Sequence, residues 1–282
     1  MSFDLREVSR WFGRPVHLFR FACGPLVWHF AHADRDVPLG DVTWKAANIS
    51  RSALRDSVEY AKNNVTLTMD CLLDPSAIDT PPTQSLGRLW RPYPPSAPVF
   101  VTCLAMHRGD DAPAVEWHGR VIAPKYTDAQ LELVCEPSHR SERRTGLQLR
   151  WQRACPLAQY GQGVGMCNLD PAAWGVAAVL EQVQGLKLVA AGFAESAETL
   201  AGGYVEWTRE DGLLERRSIM SHDGSTITIQ YGGHGLEPEL EMTAYPGCAH
   251  TFAACKSFGN SDNFGGSPDL PAKNPMGGNP VW

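Results

Sequence analysis

The sequence predicts a mainly β protein, with an N-terminal β-barrel or β-sandwich region and a small C-terminal β-rich domain. Three observations carry this. Short runs of β-branched and aromatic residues recur with alternating polarity, separated by Gly, Pro and Asp turns. Helix signals are few. The 282 residues exceed one small domain, so two folding units are expected.

The elements follow in order. Arg14–Phe21 alternates over much of its length and reads as the first strand. Val27–Phe30, Val42–Lys45 and Asn64–Met69 come next, then the longer apolar run Pro98–Met106. Glu116–Ile122 and Gln130–Cys135 complete the first series. Turns at Asp34–Asp36, Leu39–Asp41, Pro92–Pro95 and Gly109–Asp111 separate these runs, and strands so short and so spaced predict a barrel or sandwich. Ser52–Asp56 offers a turn or two of helix. Asp170 before Pro171 is a helix start with an N-cap and a first-turn proline. That helix is expected to be short, because Val176–Val189 returns to a β-like pattern. Ala194–Ala201 suits a short helix ended by Gly202 and Gly203. Tyr204–Thr208, Leu214–Met220 and Thr226–Tyr231 read as a meander with a turn at His222–Gly224, and Leu240–Tyr245 as a last strand. Lys256–Trp282 carries five Gly, four Pro and four Asn and no period, so it is expected to be an irregular or extended arm.

Composition removes several function classes. Asp and Glu outnumber Lys and Arg by 31 to 25, so no nucleic acid is expected as a specific ligand. Hydrophobic residues at 43% and charged residues at 20% fit a soluble globular protein. No run of about 18 uncharged apolar residues occurs, so no membrane span is expected. The start MSFDLREVSRWFGR lacks the apolar stretch of a secretory signal, which predicts folding in the cytoplasm.

The eight cysteines fall into two sets. Cys23, Cys71, Cys103 and Cys135 sit singly in or beside strands with apolar neighbours, as small buried hydrophobes do. Cys155, Cys167, Cys248 and Cys255 lie outside the strand patterns, each near Gly or Pro. Two loop pairs far apart in sequence suit one four-thiolate centre, either Zn²⁺ or an iron–sulfur cluster. The spacings match neither C-x₂-C nor a ferredoxin run, and four unrelated thiols or two disulfides stay open.

Specific residues carry a family resemblance. They are Gly13–Phe19, Asp34–Val37, Asn48–Arg51, Trp117–Val121, Cys135–Pro137 and Arg144–Leu147, then Arg153–Pro156, Tyr160–Gly161, Cys167 and Asp170–Trp174. The series ends with Gly247–Cys248, Thr251, Cys255, Phe258–Asn260 and Asn263–Gly266. Over roughly residues 10 to 270 the chain resembles the tail-tip hub family of long-tailed phages and gene transfer agents. Its Cys-bearing end is also similar to the minor tail protein of lambdoid phages. The resemblance implies a structural protein of a phage tail tip or baseplate hub. It would join the end of the tail tube to the receptor-binding or host-penetration machinery. It also implies a [4Fe–4S] cluster on Cys155, Cys167, Cys248 and Cys255, with zinc as the lesser alternative. Many relatives place the second cysteine closer, as Tyr-Gly-Pro-x-Cys-Gly, whereas here Tyr160 and Cys167 are separated by Gly-Gln-Gly-Val-Gly-Met.

The expected organisation is therefore a hub region over 1–145, a cysteine-clasped domain over 150–260 that closes on the four-Cys metal centre, and a Gly/Pro/Asn-rich arm over 261–282. The expected partners are other copies of the chain in a trimeric ring, a distal tail protein and the central receptor-binding hub protein. The expected location is the virion tail tip, after synthesis in the bacterial cytoplasm. No catalytic function is expected. The alternative is a metal-dependent, tail-associated hydrolase, which needs an open metal position and a nearby acid or base.

Other constellations are weaker. His17, His29 and His118 lie in strand patterns and read as core or interface residues. His250 sits between the last two cysteines, as a loop histidine or a donor to a thiolate. His32, Asp34 and Asp36 mimic a metal site but read as a turn. G-x-S-x-G, H-E-x-x-H, P-loop and G-x-G-x-x-G patterns are all missing from the sequence. Arg140, Arg143, Arg144, Arg150 and Arg153 form a diluted basic stretch, either a contact with an acidic subunit or a solvated linker. Among nine tryptophans, Trp11, Trp90 and Trp282 stand in exposed-looking segments.

Overall fold

The computed structural model describes residues 15–54, 63–74, 76–107, 110, 112–138 and 151–271. The chain divides into two compact units. The first comprises Met1–Arg144 and Thr208–Glu215; the second comprises Thr145–Trp207 and Arg216–Trp282.

The first unit is built on a nine-stranded sheet. Its strands are β1 (Val16–Cys23), β2 (Leu26–Ala31), β3 (Val37–Leu39), β4 (Val42–Ala46), β5 (Ile49–Arg51), β6 (Val65–Asp70), β7 (Phe100–Met106), β8 (Ala114–Tyr126) and β9 (Gln130–Pro137). Their order is β3-β4-β2-β1-β7-β8-β9-β6-β5. β4 runs parallel to β2, with Phe30 opposite Lys45, while β5 runs antiparallel to β6, with Ile49 opposite Met69. Only Ala47 and Asn48 separate β4 from β5, so the two sides of the sheet are consecutive in the chain. The sheet therefore curls into a half-barrel, which is the form the predicted barrel takes.

Strand alternation decides what lies inside. In β1, Phe19, Phe21 and Cys23 are buried while Arg20 is exposed. They meet Ile49, Leu67, Val101, Cys103, Leu131, Leu133 and Cys135 in one core. The four strand cysteines are thus the small apolar fillers they were expected to be. Bulges in β8 interrupt its register with β7 and with β9 and allow a 13-residue strand to follow the curvature. The short helix α1 (Gln84–Gly87) and the helical turn Arg88–Trp90 add Leu86 and Leu89 to the core. Trp90 packs against this core, contrary to its exposed-looking sequence context. A smaller cluster of Leu18, Ala31 and Trp44 sits apart from the main core.

The second unit holds a seven-stranded sheet in the order β10-β16-β13-β14-β15-β12-β11. These strands are β10 (Val176–Val179), β11 (Gln182–Gln184), β12 (Lys187–Val189), β13 (Tyr204–Thr208), β14 (Leu214–Asp223), β15 (Thr226–Ile229) and β16 (Glu241–Tyr245). Leu180, Leu188, Phe193, Val205, Trp207, Ile219, Ile227 and Ile229 form its core. The predicted meander is present, and Tyr204–Thr208 matches residue for residue. The hairpin between β13 and β14 is shared: residues 208–215 belong to the first unit, where Leu213 joins the half-barrel core.

The helix expectations fare less evenly. Asp170 caps as predicted, its side chain accepting from the Ala172 N–H at 3.0 Å, and the turn Pro171–Ala173 is short. Ser52–Leu54 are not helical, and Arg55 and Asp56 lie outside the described residues. The helical turn expected over Ala194–Ala201 comes earlier, at Ala191–Glu195. The region expected to be irregular begins inside helix α2 (Phe252–Ser257), capped by Thr251 accepting from Ala254 N–H at 3.1 Å. Beyond it, Ser261–Asn263 is one helical turn and Ser267 N–H donates to Gln152 O at 2.9 Å. Residues 272–282, with Trp282, lie outside the described residues, as do Trp11, Arg140, Arg143, Arg144 and Arg150.

Candidate functional site

The second unit gathers Cys155, Cys167, Cys248 and Cys255 into one neighbourhood. Each arrives by a local device. Cys155 N–H donates to His250 O at 2.8 Å, which ties the segment around 155 to the segment around 250. Cys167 is delivered by the glycine-rich loop. Asn168 N–H closes that loop on Gly161 O at 2.7 Å, and the Asn168 side chain accepts from Gly163 N–H at 2.8 Å. The extra residues bulge outward, with Val164 at the fully exposed tip. Positive φ at Gly163 (128°) and Gly165 (72°) makes glycine the fitting residue there.

Cys248 follows Gly247, whose Cα is packed against Ala201 O and the Gly202–Gly203 backbone, so no side chain fits. His250 N–H donates to Cys248 Sγ at 3.3 Å, so His250 acts through its backbone. Cys255 lies in α2, and its thiol donates to Asn260 O at 3.0 Å. Asn260 is the residue that sequence reasoning did not single out for a role. Its side-chain amide donates to Cys167 O at 2.7 Å and reaches Cys167 Sγ at 3.5 Å. Asn263 in turn donates to Asn260 Oδ1 at 2.7 Å. Its place at the end of the Phe258-Gly259-Asn260 stretch is the signal the sequence offers for it.

The electrostatics agree with this gathering. Burial pushes the Cys248 thiol up, against the His250 N–H, and Cys167 and Cys155 add to the rise. Burial likewise raises Cys255, with Cys155, Cys167 and Cys248 contributing. Tyr160 flanks the cluster. Its ring meets Tyr204 and Tyr245 edge-on, at 6.1 and 6.2 Å, and its hydroxyl donates to Pro246 O at 2.9 Å. Burial raises its pKa first, and Tyr204, Cys167 and Cys248 add to it.

The expected metal centre is corrected by this geometry. Among the described residues, no group of three or more Cys, His, Asp or Glu side chains is placed to hold a metal ion. All eight cysteines are free. The physical reason lies in where the sulfurs are engaged. Cys255 carries its proton and donates it to the Asn260 carbonyl at 3.0 Å, away from any shared point. Metal ligation needs thiolates that converge on one point. The residues therefore do not fit a [4Fe–4S] cluster or a zinc ion, and the clasp between the two segments is hydrogen-bonded. The metal-dependent hydrolase loses its centre on the same ground.

The other candidates resolve into structural roles. His17 Nδ1 lies 3.5 Å from Glu116, which also pairs with Arg51 at 2.8 Å; burial, then Arg51, lowers the His17 pKa. His118 bonds Thr102 Oγ1 at 3.0 Å and stacks on Phe100, and His29 packs edge-on against Trp44 at 4.8 Å. Asp36 pairs with Lys45 at 2.8 Å and accepts from Ala46 N–H, as a turn residue does.

Comparison with known proteins bears on both units. A protein solved in the virion of a native gene transfer agent particle superposes with a TM-score of 0.75, covering 99% of this chain and 95% of that one at 16% identity. The chain has the fold of that virion protein. Residues 198–274, which include Cys248, Cys255 and Asn260, match the family described as phage conserved hypothetical protein BR0599. A protein of Xylella fastidiosa (strain 9a5c), described as uncharacterized, is 40% identical over 238 residues. That alignment covers 81% of this chain and 48% of the relative, so the chain spans about half the relative's length. No helix among the described residues is long and apolar enough to cross a membrane.

Proposed function

We propose that the chain is a structural subunit of a phage or gene transfer agent tail tip. It would be a baseplate hub component joining the end of the tail tube to the receptor-binding or host-penetration machinery. The observation that carries this reading is the agreement with a virion protein over 99% of the chain, which takes in both units rather than one common β module. The match of residues 198–274 to a phage family supports it independently. Exposed apolar side chains such as Val115, Trp151, Val164 and Met220 suit surfaces that neighbouring subunits cover. In this role the protein is non-catalytic and forms a homotrimeric ring, with a distal tail protein on one side and the central hub protein on the other.

Tagged protein supplied during particle assembly tests this. Electron microscopy of gold-labelled particles should place the tag at the distal end of the tail. Light scattering of the purified chain should give three times 30.9 kDa. Purified particles free of the tag would overturn the assignment, and a monomer that stays monomeric with the distal tail protein would overturn the ring.

A further inference from the structure

The outer face of the first sheet carries positive charge around an apolar centre. Residues paired across strands share a face, so the register of β2, β1, β7 and β8 lays that face out in rows. Val27 and Phe100 lie in one row with Arg120, and Arg20 and His118 lie in the next. Phe100 is 43% exposed, Val27 is 42% exposed, and His118 stacks on Phe100. The carboxylate that continues these rows is Glu136, which is already paired with Arg120. Arg20 is exposed and has no ion pair among the described residues. Burial and then the Arg20 charge lower the pKa of its neighbour His29.

The second unit carries the opposite pattern. Its described residues hold eleven Asp and Glu against five Lys and Arg. Three of the acids surround one exposed apolar side chain. Val179 is 52% exposed and lies opposite Glu241. Glu239 N–H donates to Leu180 O at 2.7 Å, which brings Glu239 beside it, and Glu181 comes next in the chain. Glu181, Glu239 and Glu241 are exposed and have no ion pair among the described residues.

We propose that the Phe100 face of one copy docks on the Val179 patch of a second copy, the cations of the one meeting the carboxylates of the other. This rests on the ring assembly proposed above and supplies its contact. Neither surface suits a two-fold contact with itself. Phe100 face against Phe100 face would set Arg20 against Arg20, and Val179 patch against Val179 patch would crowd six carboxylates. Two different surfaces that recognise each other make a head-to-tail contact, which continues until it closes into a ring. The apolar side chains lose water at the centre of the contact. The charges lie around them, where they orient the approach and reject a like-charged surface. Added salt screens that attraction, so it weakens the association.

Sedimentation of the full chain over a concentration series, at about 0.1 M salt, tests the contact. Arg20→Glu reverses one surface, and Glu239→Lys with Glu241→Lys reverses the other. Each should weaken association about tenfold or more, and all three changes in one chain should restore most of it. Phe100→Ser leaves the charges alone and should also weaken association. These side chains are exposed, and circular dichroism checks that each variant is folded. Folded variants that assemble as tightly as the wild type would overturn this contact and leave the ring standing. Failure of the combined changes to restore assembly would overturn the pairing of the two surfaces. A wild-type chain that stays monomeric at every concentration would overturn the ring and this contact with it.

Discussion

Ser96 holds Glu215 by two hydrogen bonds, from its backbone N–H at 3.1 Å and its hydroxyl at 2.6 Å, across 119 residues of sequence. Glu215 is fully buried, and Arg209 approaches its other oxygen at 3.4 Å. Replacing Glu215 by Ala removes the acceptor and leaves buried donors and a cation behind. The expected loss is about 2–4 kcal/mol, read from urea denaturation, with Ser96→Ala costing about 1–2 kcal/mol. Equal, negligible losses would mean that the pair is not a stabilising contact.

Alkaline pH should weaken the first unit. Burial pushes the Cys103 thiol up to about 12 and the Cys23 thiol up to about 11 from a usual 9.0. Between these limits the folded protein keeps protons that the unfolded chain has released. Stability is therefore fully present below about pH 9 and falls as pH climbs toward 12. Cys103→Ala should lower stability at neutral pH, through the cavity, and flatten the decline above pH 9. A thermal-melting series from pH 7 to 11 checks both effects.

Two glycines should tolerate an added Cβ to different degrees. A Cβ at Gly203 meets Tyr245 O and the Pro246 and Gly247 backbone, none of which can swing aside. Gly203→Ala should cost about 3 kcal/mol and lower the melting temperature of the second unit. Gly40 has φ of 57° but open space, so Gly40→Ala should cost only about 1 kcal/mol.

Asn260 bridges the two cysteine segments, so Asn260→Ala should loosen them without removing a thiol. Loss of its bond to Cys167 O, worth about 1 kcal/mol, corresponds to a several-fold faster alkylation of Cys167 under native conditions. Cys103, in the other unit, serves as the internal standard and should not change. An unchanged Cys167 rate would show that the amide does not restrain the loop.

The strands were legible where burial on one face imposes alternation, as in Val16–Cys23 and Tyr204–Thr208. They were not legible in Val37–Leu39 and Ile49–Arg51, because three residues are too few to show a period and pairing is set by neighbours such as Trp44 and Leu67. The helix at Phe252–Ser257 is too short to show a period, and its last two residues fall in the Gly/Pro/Asn-rich stretch that begins at Lys256, although Thr251 is a fitting N-cap. The cysteine neighbourhood was legible from its Gly and Pro context. What the sulfurs do there was not, because their direction depends on Asn260 O and His250 N–H, which spacing does not encode.

The excursion of residues 208–215 has a consequence for inheritance. The chain order runs first unit, second unit, first unit, second unit, so no single crossover exchanges one unit intact. A crossover anywhere between residues 97 and 214 unites Ser96 from one parent with Glu215 from another. The two halves of the gene must then travel together, or arrive already complementary at these positions, for a hybrid chain to fold.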